Sequence, residues 1–352
     1  MIKLGVIFGG MSTEHDVSIV SGICVLTNLD RQKYEIFPIY IDLQGKWYQY
    51  QVDLSNLPQA EVGQKLEKAA LEQIQNPIEY IKQMDCIFPV LHGRYGEDGS
   101  MQGMLELLGI PYVGCKVLSS SICMDKAYTK IILEKADIPQ VNSLFLMKKK
   151  NQYLLIDETL TKKEVTLGQI EEKIQQAFGF PIFVKPSNSG SSVGVRKVEK
   201  PLFLKEALDY AGQYDYKMII EQAVEARELE CAVLGSDNPI ASCLGEVLPA
   251  DEFYSFEAKY KNSKSTTQVP AKIEKKIEEK IKKMAIKAFQ AVDGAGLARV
   301  DFFLEQQTGH IYLNEINTMP GFTKISMYPK LIQQLGISYS ELLDQLVKMA
   351  MQ

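Results

Sequence analysis

Apolar positions along the chain follow two rhythms. Short runs such as "LGVIFGG" (Leu4–Gly10), "YEIFPIYID" (Tyr34–Asp42) and "MDCIFPVLHG" (Met84–Gly93) are dense in β-branched and aromatic residues and close on a turn residue, as buried strands do. Between the first two, "STEHDVSIVSGICVLTNL" (Ser12–Leu29) reads as a helix, with Thr13 and Asp16 at the spacing of a capping box. This alternation predicts an open α/β sheet with parallel strands. Ligands of such sheets sit beyond the strand C-termini, where the turn at Gly9 and the segment "HGRYGEDG" (His92–Gly99) fall. "SMQGMLELLGIPYVG" adds a short helix and a strand.

A second unit is expected from Cys115. "SSSICMDKAYTKIILEKADIP" reads as one helix stopped at Asp137-Ile138-Pro139, and residues 148–173 as a charged, weakly patterned excursion. "FPIFVKPSNSGSSVGVRKV" reads as strand, small-residue loop, strand, and "KMIIEQAV" as a strand leaving the unit. The third unit opens with the strand "LECAVLG", followed by a polar stretch from Asp251 to Pro270. A long helix then puts Ile273, Ile277, Ile281, Ala285, Ala288, Phe289 and Val292 on one face. Its Lys/Glu-rich face is a solvated one.

"RVDFFLEQQTGHIYLNEINTMPGFT" (Arg299–Thr323) reads as a hairpin, with strands Val300–Leu304 and His310–Ile316 around a Gln-Gln-Thr-Gly link. Strand side chains alternate faces, so Arg299 shares a face with Asp301, and Glu315 with Asn317. Register is not set by sequence. If Asp301 stands opposite Glu315, all four polar groups meet. Two carboxylates about 4 Å apart repel by roughly 4 kcal/mol at an effective dielectric near 20. A shared proton, Arg299 or a cation relieves that. Two carboxylates and an amide oxygen suit a hard ion such as Mg²⁺; a solvated strand face is the alternative.

Composition narrows the classes. With 352 residues, 46% hydrophobic and 24% charged, two or three soluble domains are expected. A net charge of −5 excludes a broad nucleic-acid surface but not a local anion pocket. No apolar run reaches membrane-span length, and the N-terminal run is too short for a signal peptide. Six scattered cysteines form no CxxC pair, against zinc ribbons and redox dithiols and in keeping with a reducing cytoplasm. The loop "SNSGSSVG" (Ser187–Gly194) exposes backbone N–H groups able to wrap phosphate, with Lys185 and Lys126 as point charges; a surface turn is the other reading. Neither a Walker A sequence nor a GxGxxG turn occurs, so a nucleotide would bind in another mode.

Taken in order, "IFGGMSTEHDVSIVSG", "PVLHGRYGEDGSMQGMLELLGIPYVG", "MDKAYTK", "VKPSNSGSSVGV", "FEAKY", "RVDFFL" and "LNEINTMPGFTKISMYP" resemble the D-alanine-D-alanine ligases of the ATP-grasp superfamily. They cover most of the chain, with weaker fits at 50–80 and 148–173. The resemblance implies an N-terminal open α/β domain (1–114), then a two-lobed ATP-grasp module with a central lobe (115–221) and a C-terminal lobe (222–352). It implies ATP-driven joining of two D-alanines through an acyl phosphate, for the bacterial cell wall, by a cytoplasmic homodimer contacting through the first domain.

The resemblance also distributes roles. Asp301, Glu315 and Asn317 would hold two Mg²⁺ or Mn²⁺ ions, with a monovalent cation such as K⁺ as a further partner. Arg299 and the Gly321 N–H would stabilise the acyl phosphate and oxyanion. Glu14 would grip the first ammonium, closing the site with Ser191 and Tyr260, and His92 would lie nearby. Lys126, Lys185, Ser191, Ser192, Glu221, Val224, Glu228, Lys259 and Asn314 would bind ATP, with Gln222-Ala223 a looser match. Ser326 and Met327 would line the second-substrate pocket, beside Lys324-Ile325 where the family commonly has Ser-His. "DEFYSFEAKYKNSKSTTQVP" would be a lid. Ligases making D-alanyl-D-lactate or D-alanyl-D-serine are the close alternatives. Tyr260 argues against D-lactate, because such ligases often carry Phe there, and apolar Met327 argues against D-serine. A non-catalytic ATP-binding protein would be expected to lose one of Arg299, Asp301, Glu315 and Asn317; all four are present.

Overall fold

A computed structural model describes residues 1–57, 61–63, 65–150, 152–157, 159–248 and 266–352. Lys259, Tyr260 and most of the expected lid lie outside the described residues. The first sheet contains β1 (Ile2–Gly9), β2 (Tyr34–Ile41), β3 (Trp47–Tyr50), β4 (Leu71–Gln73) and β5 (Cys86–Val90), in the order β4-β3-β2-β1-β5. β1 is parallel to both β2 and β5, while β3 and β4 add an antiparallel margin. Helices α1 (His15–Asn28), α2 (Pro77–Ile81) and α3 (Ser100–Leu107) accompany it. β1 is apolar from Leu4 onward because both its faces are covered there. Leu4, Val6 and Phe8 share a core with Ile19, Ile23 and Leu26 of α1, and Ile7 packs with Met101 and Leu105 of α3.

Two local expectations fail here. α1 is capped at Glu14 with no side-chain cap bond, one residue later than a Thr13–Asp16 capping box requires. Tyr112 makes one isolated bridge to Ile87 rather than a strand.

The second sheet is β6 (Ser143–Lys149), β7 (Gln152–Ile156), β8 (Lys162–Val165), β9 (Ile182–Pro186), β10 (Arg196–Val198) and β11 (Lys217–Gln222), ordered β10-β9-β11-β6-β7-β8. The stretch expected as an excursion is its β7–β8 edge hairpin. Its pattern was weak because Leu155 is the one fully buried residue on these two edge strands. The expected single helix near 119–139 is two, α4 (Val117–Met124) and α5 (Lys126–Lys135). Asp125 between them is extended (φ −90°, ψ 96°) and accepts from the N–H groups of Ala127 and Tyr128, capping α5. α6 (Leu167–Ala177) and α7 (Leu204–Ala211) pack on the sheet through Ile170, Ile174, Leu204 and Leu208.

The third sheet is wholly antiparallel: β12 (Ala226–Leu234), β13 (Ile240–Leu248), β14 (Thr266–Gln268), β15 (Leu297–Glu305) and β16 (Ile311–Asn317), ordered β14-β13-β12-β15-β16. α8 (Lys275–Ala291) buries Ile281, Ala285, Ala288 and Phe289 against it; Ile273, expected on the same helical face, lies before the Glu274 N-cap and outside the helix. After α9 (Met327–Gln333), the last helix, α10 (Tyr339–Ala350), returns to the first sheet. Its Leu342 and Leu346 join the core of Phe8, Phe88 and Phe322, and the Tyr34 hydroxyl donates to Asp344 at 2.6 Å. The chain's two ends thereby hold the 318–326 loop against β1 and β5. All six cysteines are free thiols, four of them buried. No helix among the described residues is long and apolar enough to cross a membrane.

Candidate active site

The β15–β16 register pairs Arg299 with Asn317 and Asp301 with Glu315. A bulge sets it. Pairing jumps from Asp301–Glu315 to Phe302–Leu313, leaving Asn314 as the extra residue. The reason is phase: strict alternation from Ile311 and Leu313 would turn Glu315 into the core. With Asn314 absorbed, Ile311, Leu313 and Ile316 share one core and Glu315 and Asn317 face away from it.

The repulsion between paired carboxylates is met by two cations. Arg299 grips Asp301 with Nε to Oδ1 at 2.8 Å and Nη2 to Oδ2 at 2.7 Å, the bidentate fork that is strongest for this pair. Its Nε also lies 3.1 Å from Glu230 Oε2. Burial opposes the guanidinium charge, but Asp301 and then Glu230 outweigh burial and hold its pKa well above the usual value. Asn317 Nδ2 donates to Asp301 Oδ2 at 3.0 Å, and Lys126 Nζ stands 3.6 Å from Glu315. No group of three or more His, Cys, Asp or Glu side chains that could hold a metal occurs among the described residues. The donors are two carboxylates and one amide, already facing positive charge. That set fits a hard divalent ion taking the rest of its shell from phosphate and water.

Arg299, Glu315, Asn317 and Lys126 form one wall of a cavity of about 700 Å³, while Asp301, held by Arg299 and Asn317, does not line it. Glu14 and Ser191 form the other, with Gly321, Ser326 and Met327 between. Glu14 is buried just before α1, where its side chain is free of capping duty. It accepts the Ser191 hydroxyl across a sequence separation of 177 residues. Ser191 and Ser192 take left-handed backbone conformations (φ 50° and 60°), which turn the loop toward Glu14. A Cβ at Gly93 or Gly190 would lie 2.8 or 2.6 Å from Glu14 Oε2, so only glycine lets the carboxylate sit between these two turns. Ser326 closes its own turn through Thr323 (2.7 Å between hydroxyl oxygens), and Met327 is buried against Gly245.

His92 lines the cavity, yet both ring nitrogens are committed elsewhere. Nδ1 donates to the Met319 carbonyl (3.1 Å), so Nε2 accepts from Ser21 Oγ (2.8 Å), which itself accepts the Phe322 N–H. The ring clamps α1 to the loop bearing Gly321. Burial lowers its pKa to about 4, against the Met319 hydrogen bond. A depressed histidine keeps its contribution above pH 6.5 and loses it as pH falls, because the unfolded chain takes up the proton first. Shifted from 6.5 to about 4, the group is worth about 3 kcal/mol over that window. His92→Gln should therefore lose less stability than the parent between pH 6.5 and 4, measured by urea melts across pH. Parallel curves would contradict this.

Lys126 Nζ donates to the Ser189 carbonyl at 2.7 Å, tying α5 to the serine loop. That loop is braced from below: Ser187 Oγ donates to Asp125, and the Asn188 backbone and side chain both donate to Asp215. Lys185 and Lys130 clasp Glu221 at 2.5 and 2.9 Å. Burial would raise the Glu221 carboxyl, but the two lysines override it and bring it to about 2. Lys185, Glu221 and Glu228 lie on β9, β11 and β12, Val224 lies in the link between β11 and β12, and none of the four lines the 700 Å³ cavity. His15 bonds Gly10 and Tyr40, and His310 is exposed.

Three residues escaped sequence reading. Lys130 is the second partner of Glu221. Glu97 lines the cavity and accepts the Gly93 N–H at 2.6 Å; burial and then the Glu14 charge push its carboxyl up to about 8. Glu230 alternates with apolar Leu229 and Cys231 exactly two positions after Glu228, a visible signal that it shares the face of Glu228.

Models of the D-ala D-ala ligase N-terminus and C-terminus match residues 3–115 and 132–348. A D-alanine–D-alanine ligase of Acetivibrio thermocellus is 45% identical, covering 99% of this chain and 95% of its own length. One from Clostridium acetobutylicum is also 45% identical, covering 99% and 97%. Among solved structures, the D-alanine-D-alanine ligase from Coxiella burnetii superposes with a TM-score of 0.79 at 33% identity, covering 100% of this chain and 95% of that one. The VanG D-Ala:D-Ser ligase from Enterococcus faecalis superposes with a TM-score of 0.82 at 32% identity, covering 99% of each. With two family models spanning nearly all of it and relatives matched over their full length, this chain belongs to the D-alanine–D-alanine ligase family.

Proposed function

We propose that the protein joins two D-alanines at the expense of ATP. The observation that carries this reading is the register that lines the cavity of Glu14 and Ser191 with Arg299, Glu315 and Asn317 and sets Asp301 against Arg299 and Asn317. Glu14 binds the ammonium of the first D-alanine, leaving its carboxylate toward Arg299. That carboxylate attacks the γ-phosphorus of ATP, giving D-alanyl phosphate and ADP. The neutral amine of the second D-alanine then attacks the acyl carbon, and the tetrahedral intermediate expels phosphate. Arg299 and the Gly321 N–H are preorganised donors for the charge that builds on oxygen. Lys126 and Lys185, with the serine loop, hold ATP phosphates, and Glu221, Val224 and Glu228 hold its nucleoside. Asp301, Glu315 and Asn317 would hold Mg²⁺ or Mn²⁺, which supplies charge neutralisation at the phosphates when bound. Phosphate release from ATP with D-alanine, and none with L-alanine, is the test.

D-serine as second substrate is the competing reading, raised by the likeness to a D-Ala:D-Ser ligase but not by the D-alanine–D-alanine ligases matched at higher identity. Met327 speaks for D-alanine: it is buried at the cavity wall and offers no hydrogen bond to a serine hydroxyl. A much higher kcat/KM for D-serine than for D-alanine would reverse the assignment. On sequence, Tyr260→Phe should shift preference toward D-lactate; an unchanged amide-to-ester product ratio would remove that argument.

The product is a cell-wall precursor in this reading, and the protein a cytoplasmic homodimer assembled through its first domain. The division at 114/115 is supported by the first sheet ending before it, and that at 221/222 by the second sheet ending one residue beyond it, at Gln222. Light scattering after gel filtration tests the dimer.

A further inference from the structure

β12 supplies a cavity residue that the reaction above does not use. Glu230 pairs with Asp301 across β12–β15, on the side of β15 away from β16. Glu230, Asp301 and Glu315 therefore stand in a row over three neighbouring strands. The Glu230 side chain is 12% exposed, and its Oε2 lies 3.1 Å from Arg299 Nε. Nε carries a single hydrogen, and that hydrogen is given to Asp301 Oδ1 at 2.8 Å. The Glu230 contact is thus coulombic while Asp301 holds the guanidinium fork.

The two carboxylates around Arg299 have different obligations. In the ligase reading Asp301 would be an ion ligand, and a divalent ion would compete with the guanidinium for its carboxylate. Glu230 belongs to the strand on the far side from Glu315 and Asn317, outside the assigned ion ligands, with its carboxylate against Arg299. From this juxtaposition we propose that Glu230 is the positioning residue of Arg299, retaining the guanidinium in the cavity wall when Asp301 is committed to a metal. The proposal rests on the ligase reading for its consequence, not for its geometry.

The geometric arm needs neither substrate nor metal. Asp301→Asn removes the competing charge. The Arg299 Nε–H correlation in ¹⁵N NMR, assigned by its loss in Arg299→Lys, should persist in Asp301→Asn and disappear in the double variant D301N/E230Q. Persistence in the double variant overturns the proposal, as does loss in Asp301→Asn alone. Should the double variant not fold, the single variant Glu230→Gln with magnesium and ADP serves: the correlation should broaden there and stay sharp in the parent. An equally sharp signal overturns the proposal. In the kinetic arm, Glu230→Ala should lower kcat on the order of 100-fold, the effect of misplacing a catalytic group by about 1 Å. KM for ATP and the half-saturating magnesium concentration should stay within about twofold. Parental kcat, or magnesium affinity lost along with kcat, would make Glu230 a bystander or a metal ligand instead. Parent protein that releases no phosphate with D-alanine would sink the ligase reading while leaving the NMR result to decide on Glu230.

Discussion

Arg299→Met should lose both catalysis and stability. The guanidinium stands among Asp301, Glu230 and Glu315, whose charges raise its pKa further above the usual value. Methionine occupies similar space but leaves those carboxylates facing one another. Breaking a buried ion pair by removing one partner costs about 3–5 kcal/mol. Loss of a preorganised donor to the reacting oxygen should lower kcat by a further factor on the order of 10²–10³. The two effects separate by adding Mg²⁺, a positive charge that can take over part of the neutralising role. Melting temperature should therefore rise more with Mg²⁺ in the variant than in the parent, while kcat stays low. A variant as stable as the parent at neutral pH would refute the charge balance drawn here.

Glu315→Gln should do the opposite: abolish turnover and spare the fold. Its partner Lys126 is 3.6 Å away, and the two side chains are 26% and 21% exposed. Such a pair contributes no more than about 1 kcal/mol, so the melting temperature should barely move. The amide keeps the size of the side chain but not the anionic oxygens that would hold a divalent ion. Charge stabilisation by such an ion is worth several kcal/mol, and a loss of that size lowers kcat on the order of a thousandfold. Titration with MgCl₂ should show a raised half-saturating concentration. Near-parental activity at low magnesium would remove Glu315 from the metal set.

The contrast between these two variants comes from the number and closeness of charged partners, which sequence did not disclose. Both side chains lie on exposed-looking strand positions flanked by apolar residues. Arg299 is held from two strands because β12 brings Glu230 beside it, and β12 is some seventy residues away along the chain. The same limit explains His92. A lone histidine at a strand end says little by itself. Only the return of the 318–326 loop, pressed into place by α10, gives its ring two partners and a neutral charge.

What the sequence determined by itself was local. Side-chain alternation assigned Arg299 and Asp301 to one face and marked Glu315 and Asn317 as another pair. The glycine-ended strands located the mouth of the first sheet, and the apolar stripe of α8 identified its buried face. The order of motifs identified the family. Tertiary structure decided the rest. It chose the register that sets Asp301 against Glu315, through a bulge at Asn314 that keeps Ile316 in the core. It broke one helix at Asp125 and paired a weakly patterned segment as an edge hairpin. It carried Glu14 to Ser191 and Glu230 to Arg299. The physical reason is range. Periodicity is written in bonds between near neighbours, whereas register and charge pairing are settled by which distant surfaces bury their apolar area against each other.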